Sequence, residues 1–376
     1  MPLRVLFFTP TLGAGGAERQ LLRLVQSFER QAVDPVVCVA RAGGSYERWL
    51  PRDVPLHVCT RGVRGSLHSV ARSLRQLRRR LREHAPAVAV SLIEHASLAL
   101  SGSLLGLEPR PKLVLGIQNN FSVGMAAAPL HVRRLLRPLY LKAYAGADHV
   151  VALSRGVADD LGRQIPGVAA RTSVVYNAGM DPALEQRAAE PLGEPRSGAP
   201  LIVACGRLVE QKDFATLLRA LPLLETRPAP ELWLLGEGPL ELELRAQARA
   251  LGVAKRVRFL GFRDNPFPYM AAADVLALSS RWEGFANVIV EALACGTPVV
   301  ATDCPYGPSE ILEQGRHGRL APVGDAALLA RALDETLREG KSPEQQARWQ
   351  ARARVFDAAA SARGYADVFR RVLEAS

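Results

Sequence analysis

Residues Ser279–Leu312 read SSRWEGFANVIVEALACGTPVVATDCPYGPSEIL. A strand ends near Ser279, a loop carries Glu283, an apolar helix starts around Ala286–Asn287, and Pro298–Ala301 forms the next strand. Strand, helix and strand in that order build a parallel sheet, because a helical crossover returns the chain to run the same way.

Outward from this unit the rhythm repeats. Strands are expected at Leu201–Cys205, Leu232–Leu235, Val257–Leu260 and Val275–Leu278, with helices at Phe214–Leu224 and Leu240–Leu251. The first half shows the same alternation. Its strands are expected at Arg4–Phe8, Pro35–Val39, Val88–Leu92, Lys112–Ile117, His149–Leu153 and Ser173–Tyr176. Its helices are expected at Ala17–Glu29, Leu67–Glu83, Ala96–Leu107, Val132–Tyr144 and Arg155–Arg163. Between the halves, Asp181–Pro200 contains Pro182, Pro191, Gly193, Pro195, Gly198 and Pro200, a linker composition. The chain therefore divides into a domain at 1–177, a linker at 178–200, a second domain at 201–352 and a final helical segment at 353–376, in which Gly364 is a potential bend. The fold class is α/β, with two doubly wound parallel-sheet, Rossmann-like domains whose facing strand ends form a cleft for ligand.

A length of 376 residues exceeds what one hydrophobic core supports. The five cysteines are scattered without a CxxC pair, which argues against a disulfide scaffold or a zinc cluster and fits a reducing compartment. MPLRVLFFTP reads as a first buried strand rather than a targeting segment, and no apolar run is long enough to span a bilayer. The net charge of +11 falls wholly in the half before Arg171. Either a solvated arginine-rich surface or contact with something anionic accounts for it. Leu67, Val70, Leu74, Leu77 and Leu81 form one apolar stripe of a helix whose other faces carry Arg72, Arg75, Arg78, Arg79, Arg80 and Arg82. A solvated face, an anionic membrane surface or a lipid-linked diphosphate suits these arginines. Nucleic acid does not, because few aromatic residues interleave with the charges.

Several positions carry chemistry. The helix start between Glu283 and Glu291 offers unpaired N–H groups to a phosphate, while the carboxylates suit sugar and ribose hydroxyls. Gly206 ends a strand, and Arg207 and Lys212 follow it as a cation pair able to neutralise a departing diphosphate. The glycine-rich turns Gly13–Glu18 and Gly236–Pro239 let backbone approach a ligand. Their spacing matches no dinucleotide fingerprint, and no P-loop lysine is present, which counts against a dehydrogenase or an ATPase. His95, Gln118, Asn119 and Asn120 each follow a first-domain strand, where ligand would lie.

Taken together, Glu283-x7-Glu291, the GRL-x3-K segment from Gly206 to Lys212, the GEGP turn and the GGAE loop resemble the retaining glycosyltransferases of family 4, which have the GT-B fold. The run from Glu283 to Leu312 is most similar to members that extend lipid-linked oligosaccharides in the bacterial envelope. The resemblance implies that Arg207 and Lys212 hold the donor diphosphate and assist its departure. It implies that Glu283 contacts the donor sugar, that Phe285, Ala286 and Asn287 offer backbone to sugar and phosphate, and that Glu291 binds the ribose. Gly206, Gly236 and Gly238 would line the nucleotide, Phe262 and Arg263 would lie beside the base, and Gly15 and Gly16 would approach the donor phosphates or the acceptor. His95, Gln118 and Asn119 would meet acceptor or sugar. Gln118 stands where many members carry a histidine, and it cannot take a proton.

The resemblance also implies a last helix that crosses back to the first domain, and an enzyme that needs no cofactor or metal. The expected function is transfer of a hexose or N-acetylhexosamine from a UDP-sugar or another nucleotide-diphosphate sugar, with retention. The acceptor would be a saccharide, lipid-linked, in envelope glycan synthesis. Such an enzyme would work in the cytoplasm or at the inner face of the cytoplasmic membrane. The alternatives are a nucleotide-sugar epimerase on the same fold or a non-catalytic nucleotide-sugar-binding protein.

Overall fold

The computed structural model describes residues 2–375 apart from 14, 61–65 and 181–182, and it leaves the side chains of 66–71, 127 and 132 undescribed. Ala14, Asp181, Pro182 and the side chains of Leu67 and Val70, all invoked from sequence, lie outside the described residues. The chain forms two compact units, Met1–Ala178 with Ala358–Ser376, and Gly179–Asp357.

The first unit runs β1 (Leu3–Thr9), α1 (Gly16–Ser27), β2 (Val33–Arg41), β3 (Leu56–Thr60), α2 (Ser66–His84), β4 (Val88–Ser91), α3 (Glu94–Leu104), β5 (Lys112–Ile117), α4 (Phe121–Ala127), α5 (Leu130–Ala145), β6 (His149–Ala152), α6 (Arg155–Gln164) and β7 (Thr172–Val174). Its strands pair in parallel in the order β3-β2-β1-β4-β5-β6-β7. Strands β1, β2 and β4 are almost wholly buried, as expected where helices cover both faces of a sheet. The switch in strand order lies between β1 and β4. That places the turn before α1, the start of α3 and the residues after β5 together at the carboxyl end of the central strands.

The second unit runs α7 (Leu184–Ala188), β8 (Leu201–Cys205), α8 (Phe214–Ala220), β9 (Glu231–Leu235), α9 (Glu241–Ala250), β10 (Val257–Gly261), α10 (Phe267–Ala272), β11 (Val275–Leu278), α11 (Asn287–Ala294), β12 (Val299–Thr302), α12 (Pro308–Ile311), β13 (Arg319–Ala321), α13 (Ala326–Glu339) and α14 (Pro343–Arg354). Its parallel sheet has the order β10-β9-β8-β11-β12-β13, with the switch between β8 and β11. The chain ends in α15 (Ala358–Glu374), which belongs to the first unit.

Four expectations are corrected. Residues 179–200 are part of the second unit rather than a free linker. Helix α7 packs on α10, Arg196 Nη2 bonds Asp274 Oδ2 at 2.8 Å, and Glu194 pairs with both Arg258 and Arg263. The prolines and glycines there shape turns that side-chain contacts then hold. The final segment is not one helix from 353, because α14 ends at Arg354 and α15 begins at Ala358. Gly364 does not interrupt α15. A Cβ there would lie 2.9 Å from Val175 Cγ1, so glycine allows close packing against the residue after β7. Lastly, Leu77 and Leu81 of α2 are buried, but Leu74 is 36% exposed.

Helix α15 places Tyr365, Val368, Phe369 and Val372 on one buried face against α1 and the sheet, with the Phe369 ring 6.2 Å from Phe28 and 6.3 Å from Phe7. Phe369→Ala is expected to lower the unfolding free energy by about 3–5 kcal/mol. A change under 1 kcal/mol by denaturant titration would mean that α15 is a peripheral appendage.

Candidate active site

In the second unit, the loops after β8 and β11 meet at the switch point. They are stitched together by backbone and side chain: Arg281 N donates to the Gln211 carbonyl at 2.8 Å, Gln211 Nε2 to the Trp282 carbonyl at 3.0 Å, and Ser279 Oγ to the Lys212 carbonyl at 2.8 Å. Asp213, in a left-handed conformation, caps α8 through Thr216 and accepts from Arg281 Nε at 3.2 Å. These bonds set Lys212 beside Glu283. Lys212 Nζ donates to Glu283 Oε1 at 2.5 Å, and Ser280 Oγ donates to the same oxygen at 2.6 Å. Glu283 is only 5% exposed, and its backbone is fixed by Glu283 N to the Pro305 carbonyl and Tyr306 N to the Glu283 carbonyl.

The Lys212 stem lies over Gly206, with Cε, Cδ and Cγ 3.2–3.4 Å from where a Cβ would stand. Arg207 is exposed and makes no ion pair with any described residue. Beside them, Gly236 has φ +137, and a Cβ on it would lie 2.0 Å from the Gly206 carbonyl oxygen. Only glycine fits. Gly238 approaches Leu208 backbone as closely, and Gly236 N donates to the Gly261 carbonyl at 2.8 Å. The carboxyl ends of β8, β9 and β10 thus form one layer of closely apposed backbone.

Helix α11 begins next to this layer. Ala286 occupies its N-cap in a left-handed conformation, with no side chain to satisfy the first N–H groups, and Asn287 Oδ1 is buried without a partner among the described residues. Phe285 is buried and packs edge-on against Phe356 at 5.3 Å. Glu291 is 4% exposed, so it is no ordinary surface residue of its helix. Burial, then the nearby Glu291 charge, pushes the Cys295 thiol up to about 12 and the Cys205 thiol higher. Neither thiol is a nucleophile at neutral pH.

Phe262 is 51% exposed at the end of β10, with its N–H 3.3 Å from Glu237 Oε1. Arg263 Nη2 bonds Glu194 Oε1 at 3.0 Å with its guanidinium over the Tyr269 ring, while its Nε is buried without a partner among the described residues.

In the first unit, Gly15 is the N-cap of α1, and the Glu18 carboxylate folds back over it, with Oε2 2.2 Å from a Cβ built there. Burial raises the Glu18 pKa. His95 sits in the first turn of α3, where burial holds its pKa down. Gln118 Nε2 is buried without a partner among the described residues, Asn119 is exposed, and Asn120 is the cap of α4, accepting from Val123 N at 3.1 Å. Ser280 and Asp213 were missed from sequence, since a lone serine or aspartate carries no spacing signal, and Glu18 was read only as the end of the GGAE loop. Among the described residues, no three His, Cys, Asp or Glu side chains converge as a metal site would need, and no helix is long and apolar enough to cross a membrane.

Residues 14–181 match the family model "Glycosyltransferase Family 4", and residues 199–339 match "Glycosyl transferases group 1". Among curated relatives, a lipopolysaccharide core biosynthesis glycosyltransferase of Rhizobium meliloti is 36% identical over 203 residues, 53% of this chain and 56% of its own. The N-acetylgalactosamine-N,N'-diacetylbacillosaminyl-diphospho-undecaprenol 4-alpha-N-acetylgalactosaminyltransferase of Campylobacter jejuni is 33% identical over 215 residues, 57% of this chain and 58% of its own. The chain thus spans rather more than half the length of these relatives. Among solved structures, Anabaena HepE in complex with UDP-glucose superposes with a TM-score of 0.74 at 22% identity, covering 99% of both chains. Sucrose-phosphate synthase of Thermosynechococcus elongatus superposes with a TM-score of 0.82 at 18% identity, covering 100% of both. The fold is GT-B, as expected from the sequence.

Proposed function

We propose that this chain, built of one domain of glycosyltransferase family 4 and one of glycosyl transferases group 1, transfers a hexose or N-acetylhexosamine from a UDP-sugar to a lipid-linked saccharide with retention. The observation that carries the reading is the Lys212–Glu283 pair at the switch point, over a glycine layer and beside the open N-terminus of α11. A pyrophosphate needs cations and backbone N–H groups, and a sugar needs fixed acceptors. Both sets stand here within one unit.

In this reading the bond between the sugar C1 and the diphosphate oxygen breaks, and the acceptor oxygen forms a bond to C1. The acceptor hydroxyl's proton passes to the departing diphosphate. Lys212 Nζ has three donors, so it can stabilise that negative charge while still bonded to Glu283. Arg207 supplies a planar fork for the same phosphates. Glu283 Oε1 is engaged by Lys212 and Ser280, which leaves Oε2 to accept from a sugar hydroxyl. Glu291 takes the ribose. The acidic diphosphate requires no proton from Gln118, whose orphan Nε2 instead serves as a hydrogen-bond donor to sugar or acceptor. The relatives named above include enzymes of lipopolysaccharide and undecaprenol-linked glycans, which supports a lipid-linked acceptor and a place at the inner face of the membrane.

The direct test is transfer from UDP-sugars to undecaprenol-linked saccharides, with anomeric analysis of the product. Binding is read separately by thermal unfolding: UDP at 100 times its Kd is expected to add about 2.7 kcal/mol of stability. No shift with UDP or with any other nucleoside diphosphate would overturn the reading.

A further inference from the structure

Helix α5 carries three leucines that the fold leaves in water: Leu130, Leu135 and Leu139 are 52, 68 and 49% exposed. Leu135 and Leu139 are one turn apart and share a face. The helix also bears Arg133, Arg134, Arg137 and Lys142 and no acidic residue. It is firmly seated by its other face. Tyr140, Ala143 and Tyr144 are buried, the Phe121 ring meets both tyrosines edge-on, and Tyr144 O–H donates to the Gly116 carbonyl. The buried tyrosine face thus holds α5, and Leu135 is the most exposed of the three leucines. Helix α3 packs against both α5 and α2, Leu105 after α3 is 73% exposed, and Arg72, Arg75 and Arg82 of α2 are exposed.

At the flank of α5, Ser122, Met125, Ala126, Arg133, Arg137 and Gln164 line an open groove of about 390 Å³. Arg137 Nη2 bonds Gln164 Oε1, and Ser122 Oγ is buried with no partner among the described residues. Among the described residues, no carboxylate lines the groove. The neighbouring Asp160 accepts from Ser122 N and lies 3.5 Å from Arg163. Two guanidinium groups and an orphan hydroxyl, with no acid among them, suit a phosphate.

We propose that α5 docks the protein on an anionic phospholipid bilayer, its exposed leucines entering the acyl boundary and the Arg133–Arg137 groove taking a lipid phosphate. Four cations without an acid select an anionic surface, and exposed leucines between them select one with an apolar interior. The inference rests on the reading that the acceptor is lipid-linked and reached at a membrane.

The test is flotation of the full chain with vesicles of phosphatidylcholine alone or mixed with phosphatidylglycerol, at low and high salt. Binding is expected with the anionic vesicles only, and weaker at high salt. Leu135→Ser/Leu139→Ser should reduce partitioning about tenfold or more with an unchanged melting temperature, since both side chains are exposed. Arg133→Ala/Arg137→Ala should remove most of the preference for anionic lipid. Equal partitioning of the leucine variant and the parent, equal binding to neutral vesicles, or full displacement by inorganic phosphate at constant ionic strength would overturn the proposal. The UDP thermal shift is measured on the same samples. Its retention when flotation fails refutes the docking surface alone, whereas its loss in the parent refutes the transferase reading.

Discussion

Replacing Lys212 with alanine is expected to lower kcat by about 10²–10³-fold, and Arg207→Ala by a similar factor, because each removes a cation that the proposed function aims at the diphosphate as its charge develops. The two variants should separate in stability. Arg207 is exposed and unpaired among the described residues, so its loss should change unfolding free energy by no more than about 0.5 kcal/mol. Lys212 is the cation paired with a carboxylate that is 5% exposed. Its removal leaves Glu283 buried with only Ser280 as donor, at a cost of about 3–5 kcal/mol. Turnover is therefore measured at a temperature where UDP-saturated protein is folded. Near-normal turnover in both variants would sink the assignment, and equal stability losses would mean that the Lys212–Glu283 pair is not formed in solution.

The second large effect concerns Glu283. Glu283→Gln keeps the shape but removes the charge that holds Lys212 Nζ and Ser280 Oγ, and that the proposed function has accept from the sugar. Hydrogen bonds to charged groups contribute about 1.5–3 kcal/mol, so kcat/KM should fall by about 10–10²-fold. In the double variant Lys212→Ala/Glu283→Gln, the losses should multiply incompletely, because the two side chains share one hydrogen bond. Rate should fall below that of Lys212→Ala by less than the Glu283→Gln factor, since the proposed sugar contact of Glu283 is lost as well. Stability should rise above that of Lys212→Ala, since a neutral amide buried beside Ser280 costs less than an unpaired carboxylate. A double variant whose losses in rate and stability are both additive would show that Lys212 and Glu283 act independently.

Much of this site was legible before any coordinates. The order of strand, loop and helix at 279–294 put Glu283 in a loop and Glu291 on a helix, and the charge spacing after Cys205 singled out Arg207 and Lys212. What the spacing left open was which group touches which. Lys212 and Glu283 are 71 residues apart, and only the adjacency of β8 and β11 brings them together. Ser280 and Asp213, which hold the pair in register, have no pattern of their own. Asn120 caps α4, and Arg263 bonds Glu194 and covers the Tyr269 ring while its Nε stays buried without a partner among the described residues.

The amino-acid order by itself determined the doubly wound class, since β-branched runs alternating with amphipathic stretches leave a parallel sheet covered by helices as the way to bury both. It determined where most elements begin, through local propensity and caps. Strands β3 and β13 escaped it, because LHVCT and RLA hold no continuous β-branched or apolar run. Tertiary structure alone decided that residues 179–200 are held in the second unit, through Arg196–Asp274 and Glu194 with Arg258 and Arg263. It alone decided that Glu291 is buried while Leu135 and Leu139 are not. Burial depends on what packs against a helix face, and the sequence of that helix does not contain its neighbours.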